Sequence, residues 1–121
     1  DQVAAIDPAG DFEILAPLAD GLYDIYAIAS HWLTKAAFGV LVLAGNPIYI
    51  HIPCPNGDSD VDNEIGIGDF AIVSAAFGSS YDTATGTAYG PWDFMADLNH
   101  DDEVDIGDYA IMSRNFGLFG D

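Results

Sequence analysis

Oxygen-bearing side chains recur at alternate positions twice in this chain. Asp58, Asp60, Asp62 and Asp69 stand at positions 1, 3, 5 and 12 of one segment, and Asp97, Asn99, Asp101 and Asp108 at the same positions of another. Hard divalent cations take about six to eight oxygens on a nearly spherical shell. In a tightly wound turn alternate residues point inward, which accounts for the 1-3-5 spacing. Position 7 is expected to give a backbone carbonyl, from Glu64 and Glu103, while their side chains face water. Position 12 closes the shell from the start of a following helix. Because every ligand is a protein oxygen, the chemistry indicated is calcium rather than magnesium, two ions in all. The plainer alternative is a pair of acidic Asx-turns on a solvated surface, but converging carboxylates without a countercharge would repel.

The two segments belong to an internal repeat. Residues 58–78 align with 97–117 at an offset of 39 without gaps, and 11 of the 21 positions are identical. Position 6, commonly glycine in such turns, is Asn63 and Asp102, the non-glycine types that best tolerate a positive φ. Position 12 is Asp rather than Glu, a shorter arm and an expected source of weaker binding. Position 8 is apolar in both (Ile65, Val104), as expected where two turns pair with each other by a short β-bridge and one side is buried. Phe70, Val73 and Phe77 lie at i, i+3 and i+7, matched by Tyr109, Met112 and Phe116, so a helix of about ten residues should follow each turn. Gly78 and Gly117 fall where a glycine would end each helix. Pro53 and Pro55 exclude an incoming helix before the first turn, leaving a loop–helix unit.

Two such repeats resemble the type I dockerin family, over residues 58–119. The resemblance implies a non-catalytic, extracellular or cell-surface plug that binds a cohesin β-sandwich and fastens one protein to a scaffold. The family's recognition residues occupy positions 10 and 11 and the outer helix face. Carried onto this chain they are Ile67, Gly68, Ser74 and Ala75 in the first repeat, and Ile106, Gly107, Ser113 and Arg114 in the second. Many dockerins have Ser-Thr or a similar polar pair at positions 10 and 11, where this chain has Ile-Gly.

The composition narrows the remaining classes. Among 121 residues, 20 are acidic and two basic, a net charge of -18, so no Lys/Arg footprint exists for nucleic acid. Half of the residues are hydrophobic, enough for a core. The longest apolar run, 36–45, is too short to cross a bilayer, so no membrane insertion is expected. Residues 1–57 carry a net charge of -5 and residues 58–121 a net of -13. Two units are therefore expected, over 1–53 and 58–121, joined by a linker at 54–57.

The first unit reads as short strands at 12–15, 22–29, 40–43 and 48–52. Its G-x-F, G-x-Y and two closing runs, in "GDFEILAPLADGLYDIYAIASHW" and "GVLVLAGNPIYIHIP", resemble part of a carboxypeptidase-regulatory-like or Cna-B-like (transthyretin-like) sandwich. The expected class is thus α+β: a small antiparallel β-sandwich-like unit followed by two EF-hand-like loop–helix calcium repeats. Against that family's pattern the sandwich reads as incomplete: either its first strands lie outside this sequence, or a strand such as Val3-Ala4-Ala5-Ile6 donated by another copy completes it. That gives the alternative function, a subunit of a self-assembling extracellular fibre stiffened by calcium, with other copies of the chain as partners. No acid, base and nucleophile converge in the sequence, so no catalytic residue is expected. His51 and Cys54 lack the further ligands that zinc needs, and Trp32 and Trp92 are expected in packing. Ser79, Ser80, Thr83, Thr85 and Thr87 read as a flexible, hydroxyl-rich connection.

Overall fold

The computed structural model describes residues 3–5, 13 and 18–121. Its longest elements are β1 (Gly21–Ala29) and β2 (His31–Val42), rich in Ile, Leu, Val, Tyr and Phe and paired antiparallel as one hairpin. The register runs from Gly21 opposite Val42 to Ala29 opposite Trp32, with two irregularities. One falls beside Gly39, whose positive φ admits an extra residue and whose amide donates to Asp24 Oδ1 at 3.0 Å. The other lies near His31, also at positive φ. The end of β2 next to the hairpin turn enters the core, where His31 and Leu33 are fully buried. There β3 (Asn56–Asp58) adds as a third strand, pairing Asp58 with His31 and Asn56 with Trp32.

Two ten-residue helices follow, α1 (Ile67–Ala76) and α2 (Ile106–Asn115). Each ends before a glycine at positive φ, Gly78 and Gly117. A second sheet, β4 (Ser80–Asp82) with β5 (Thr87–Tyr89), and a 3-10 turn (Phe94–Ala96) lie between the helices. The core joins Leu33 of β2 to Ile65, Val73, Ala76, Ala96, Leu98, Val104 and Met112. Asn56 ties the halves together: its side-chain amide donates to the Leu98 carbonyl and its own carbonyl accepts from Asn115, both at 2.7 Å.

Four sequence expectations are corrected. The α+β class, a sandwich-like unit followed by EF-hand-like loop–helix repeats, does not hold. Among the described residues the elements are mostly β, in two small sheets with two short helices, and no EF-hand pair stands among them. The segments entering the acidic turns are β3 and the 3-10 turn rather than helices, and backbone bridges frame the turns instead. The two closing strands are not separate either. Residues 40–42 are the far end of a strand that starts at His31, with Leu43 just beyond it, while 48–52 forms no strand. The run 12–15 lies outside the described residues apart from Glu13.

The third correction concerns pairing. The acidic turns do not bridge each other; each bridges the chain leaving the opposite helix. Gly78 donates to the Val104 carbonyl, Val104 to Ser79 and Tyr81 to Asp102, at 2.8–2.9 Å. Thirty-nine residues on, Gly117 donates to the Ile65 carbonyl, Ile65 to Leu118 and Gly120 to Asn63, at 2.7–2.9 Å. Ile65 and Val104 are fully buried by this crossed arrangement. Lastly, the hydroxyl-rich connection is an ordered hairpin, turned by Asp82, whose carboxylate accepts from the amides of Ala84 and Thr85.

Candidate cation-binding turns

Asp58 is the last residue of β3 and Asp97 directly follows the 3-10 turn; both are almost fully buried. Each accepts two backbone amides from its own turn. Asp58 takes those of Asp62 and Asn63, both at 3.1 Å, and Asp97 those of Asp101 at 3.2 Å and Asp102 at 3.0 Å. At position 3, Asp60 and Asn99 accept from Asp62 and Asp101, at 3.2 and 3.1 Å. At position 5, Asp62 and Asp101 accept from Glu64 and Glu103, at 2.9 and 3.1 Å.

Position 12 closes each turn from inside a helix. Asp69 accepts from Ser59 and Gly66, both at 2.6 Å, so one carboxylate holds the start of the turn and caps α1. Asp108 does the same for Leu98 and Asp105, at 2.7 and 2.8 Å. Position 6 carries the positive φ that its residue types tolerate, 69° at Asn63 and 66° at Asp102. Position 4 is also at positive φ, in Val61 and His100. For a β-branched valine that is unfavourable, and nothing in the sequence pointed to it.

The side chains converge. Carboxylate oxygens of Asp58, Asp60 and Asp69 lie within 4.8 Å of one another. Burial pushes the Asp58, Asp60 and Asp97 carboxyls up from their usual range, with the neighbouring position-12 carboxylate adding to the rise in each case. Carboxylates gathered, partly desolvated and without a countercharge are a donor set that suits a hard cation. The turns differ at position 3. The Asn99 amide bridges to Asp101 at 2.9 Å, whereas Asp60 faces Asp62 as two like charges.

The residues carried over as partner-binding lie on or beside the outer faces of the helices. Ile67 and Ile106 are 74% and 66% exposed, Gly68 and Gly107 are half-buried, and Ser74, Ala75, Ser113 and Arg114 are exposed. Phe77 and Phe116, expected to face inward, are about half exposed. Sequence reasoning missed a histidine pair. His31 is fully buried, neither ring nitrogen has a hydrogen-bond partner among the described residues, and its ring stacks on His100 at 5.1 Å. Burial, then His100, lowers its pKa. Its partners come from positions far apart in sequence, so no local pattern could have announced them.

No protein-family model matches the chain, and no curated protein matches it. Among the described residues no helix is long and apolar enough to cross a membrane. Solved structures do match. A chain from a C-terminal interface mutant of the type II cohesin–X–dockerin complex of Acetivibrio cellulolyticus superposes with a TM-score of 0.75 at 26% identity, over 97% of this chain and 75% of that one. A chain from the corresponding N-terminal interface mutant superposes with a TM-score of 0.74 at the same identity and coverage. Both are type II complexes, whereas the sequence resemblance was to type I dockerins. The fold is therefore that of a component of type II cohesin–X–dockerin complexes.

Proposed function

We propose that this chain is a non-catalytic, extracellular attachment module that holds two calcium ions and docks a cohesin-like β-sandwich protein. Asp58, Asp60, Asp62 and Asp69, with the Glu64 carbonyl, hold one ion; Asp97, Asn99, Asp101 and Asp108, with the Glu103 carbonyl, hold the other. Bound calcium supplies the positive charge that these partly desolvated carboxylates lack, and so fixes the turns from which both helices start. The partner meets the exposed Ile67 and Ile106 and the Ser74-Ala75 and Ser113-Arg114 pairs. One observation carries the reading: two turns, 39 residues apart, repeat the same bonds from backbone amides to side-chain oxygens at positions 1, 3, 5 and 12. The likeness to components of cohesin–X–dockerin complexes supports attachment as the role.

Native mass spectrometry tests the metal. The expected result is two calcium ions per chain, lost together with helical signal in chelator; a chain that binds none and keeps its fold would overturn the assignment. Calorimetry against a set of type II cohesins tests the partner, with binding abolished by paired Ile67→Asp and Ile106→Asp changes.

A second reading, self-assembly by strand exchange, rests on the outer face of the β1–β2 hairpin. Leu22, Tyr26, Ile28, Phe38 and Leu41 are all more than half exposed there. Val3 is also exposed, while Ile6 of the proposed donor lies outside the described residues. Filaments seen by electron microscopy in calcium would favour it; a monomer at high concentration would remove it.

A further inference from the structure

Asn63 joins three separate parts of the molecule. Its backbone amide donates to Asp58 Oδ2 at 3.1 Å, inside the first acidic turn. Its side-chain oxygen accepts the Thr34 amide of β2 at 2.8 Å. Its carbonyl accepts from Gly120 at 2.8 Å, and its side-chain nitrogen donates to the Asp121 carbonyl at 3.3 Å. Residues 119–121 then lie along β2. Asp121 donates its amide to the Thr34 carbonyl at 2.8 Å and accepts the Ala36 amide at 3.0 Å, while Lys35 Nζ donates to the Phe119 carbonyl at 2.8 Å. Gly120 passes so close that a Cβ there would strike the Asn63 amide group. The second turn has no such knot. The Asp102 carbonyl accepts from Tyr81, equivalent to Gly120, but its side chain holds nothing among the described residues.

We infer that Asn63 is a positioning residue that couples cation binding in the first turn to the docking of the β1–β2 hairpin and residues 119–121. The inference rests on calcium being the ligand of the turns. Asp58 and Thr34 are linked through a single residue, so fixing the Asp58 carboxylate on a cation fixes the Asn63 backbone and the side chain that holds β2. Coupling of this kind is reciprocal: docking of the hairpin must tighten the first site by the factor by which the cation tightens the docking. The second site lacks this hydrogen-bonded link and meets the hairpin only where the His100 ring stacks on His31 among the described residues, so its coupling to residues 34–36 should be weaker.

Asn63→Gly removes the side-chain bonds yet keeps a residue suited to positive φ, and Asp102→Gly is the matched change in the second turn. Calcium is titrated into the full chain by calorimetry, and exchange of the Thr34 and Ala36 amides is followed by NMR with calcium and with chelator. In the unaltered chain, calcium slows exchange at both amides. Asn63→Gly should weaken one of the two sites about tenfold, within the usual range of such couplings, and abolish the calcium effect on both amides. Asp102→Gly should leave those amides protected by calcium. Asp121→Ala, an exposed position, should reproduce the Asn63→Gly result in part and stands in for it if that variant does not fold. Two full-strength sites and unchanged amide protection in Asn63→Gly, or in Asp121→Ala, would overturn the coupling. Absence of calcium binding in the unaltered chain would instead remove the calcium assignment itself.

Discussion

The two acidic turns share their backbone-to-side-chain bonds and differ chiefly in what holds them from outside. The second is bridged by residues 78–81, which run directly into β4 of the small hairpin. The first is bridged by residues 117–120, which run onto β2 and bind it through Lys35 and Asp121. A duplicated segment thus keeps its ligand geometry while its two copies serve different neighbours: one is bridged by local chain and meets the long hairpin through a ring contact, the other is hydrogen-bonded to it. What differs lies at position 6, where Asn63 can accept and donate and Asp102 makes neither bond among the described residues.

Breaking the ligand sets is the most forceful way to separate the copies. Asp58→Ala and Asp97→Ala should each lose the stabilisation of one bound ion, about 3 kcal/mol when calcium stands at a hundredfold over its dissociation constant. For a domain of this size that is a fall in Tm on the order of 10 °C. In chelator both losses should shrink greatly, and equal losses with and without calcium would count against the ligand assignment. Asp58→Ala should also release β2, read as faster exchange at Thr34; Asp97→Ala should not.

Next come the buried helix residues. Val73 and Met112 are equivalent by repeat and fill a single core. Met112→Ala should cost about 3 kcal/mol and Val73→Ala somewhat less, by the methylenes removed. Because the core is shared, either change should weaken calcium binding at both turns equally, measured by calorimetry. A loss confined to one turn would mean that the copies are energetically separate.

Acidity should act with opposite sign on the free and calcium-bound forms. Without the cation, burial raises the Asp58, Asp60 and Asp97 carboxyls above their ordinary value of 3.8. The folded chain then holds these protons more tightly than the unfolded chain does. Their stabilising effect is complete below the ordinary value and is lost as pH rises through the raised ones. In chelator, Tm should therefore climb on acidification from neutrality, helped by the relief of a net charge of -18. In saturating calcium it should fall, since protons compete for the ligand oxygens. Thermal melts across the acidic range, in both conditions, measure the crossover.

Local pattern made part of this structure legible and topology hid the rest. The i, i+3, i+7 apolar residues and the trailing glycines located both helices, and the repeat placed the side chains that now converge at Asp58, Asp60 and Asp69. The long strand was obscured because Ala36, Ala37 and Gly39 are weak strand formers that interrupt the pattern, although a bulge absorbs them. At 48–52 the alternation was clean but misleading. That run is flanked by Pro47 and Pro53 and pairs with no strand among the described residues. Crossed bridging was not readable either, since apolar residues at position 8 are equally suited to facing the other turn or the chain beyond the other helix. The role of Asn63 depends on a meeting of residues 34, 63 and 121, which no spacing rule anticipates.

The gentlest comparison lies at the helix ends. Gly78 and Gly117 have φ of 81° and 84°, and nothing lies within 4 Å of a Cβ built on either. Replacing each with alanine therefore costs only the left-handed backbone conformation, about 1 kcal/mol. Both glycines donate to the buried position-8 carbonyl of the opposite turn, at 2.8 and 2.7 Å, so the copies should lose stability equally in chelator. In calcium the balance should tip. Gly117 aims the residues that reach β2, and the coupling through Asn63 makes that docking tighter when the first site is filled. Gly117→Ala should then lower Tm by more than Gly78→Ala, by a few tenths of a kcal/mol on the scale of one strained backbone bond. A difference of the opposite sign would place the stronger tether on the second turn, against the contacts that Lys35 and Asp121 make.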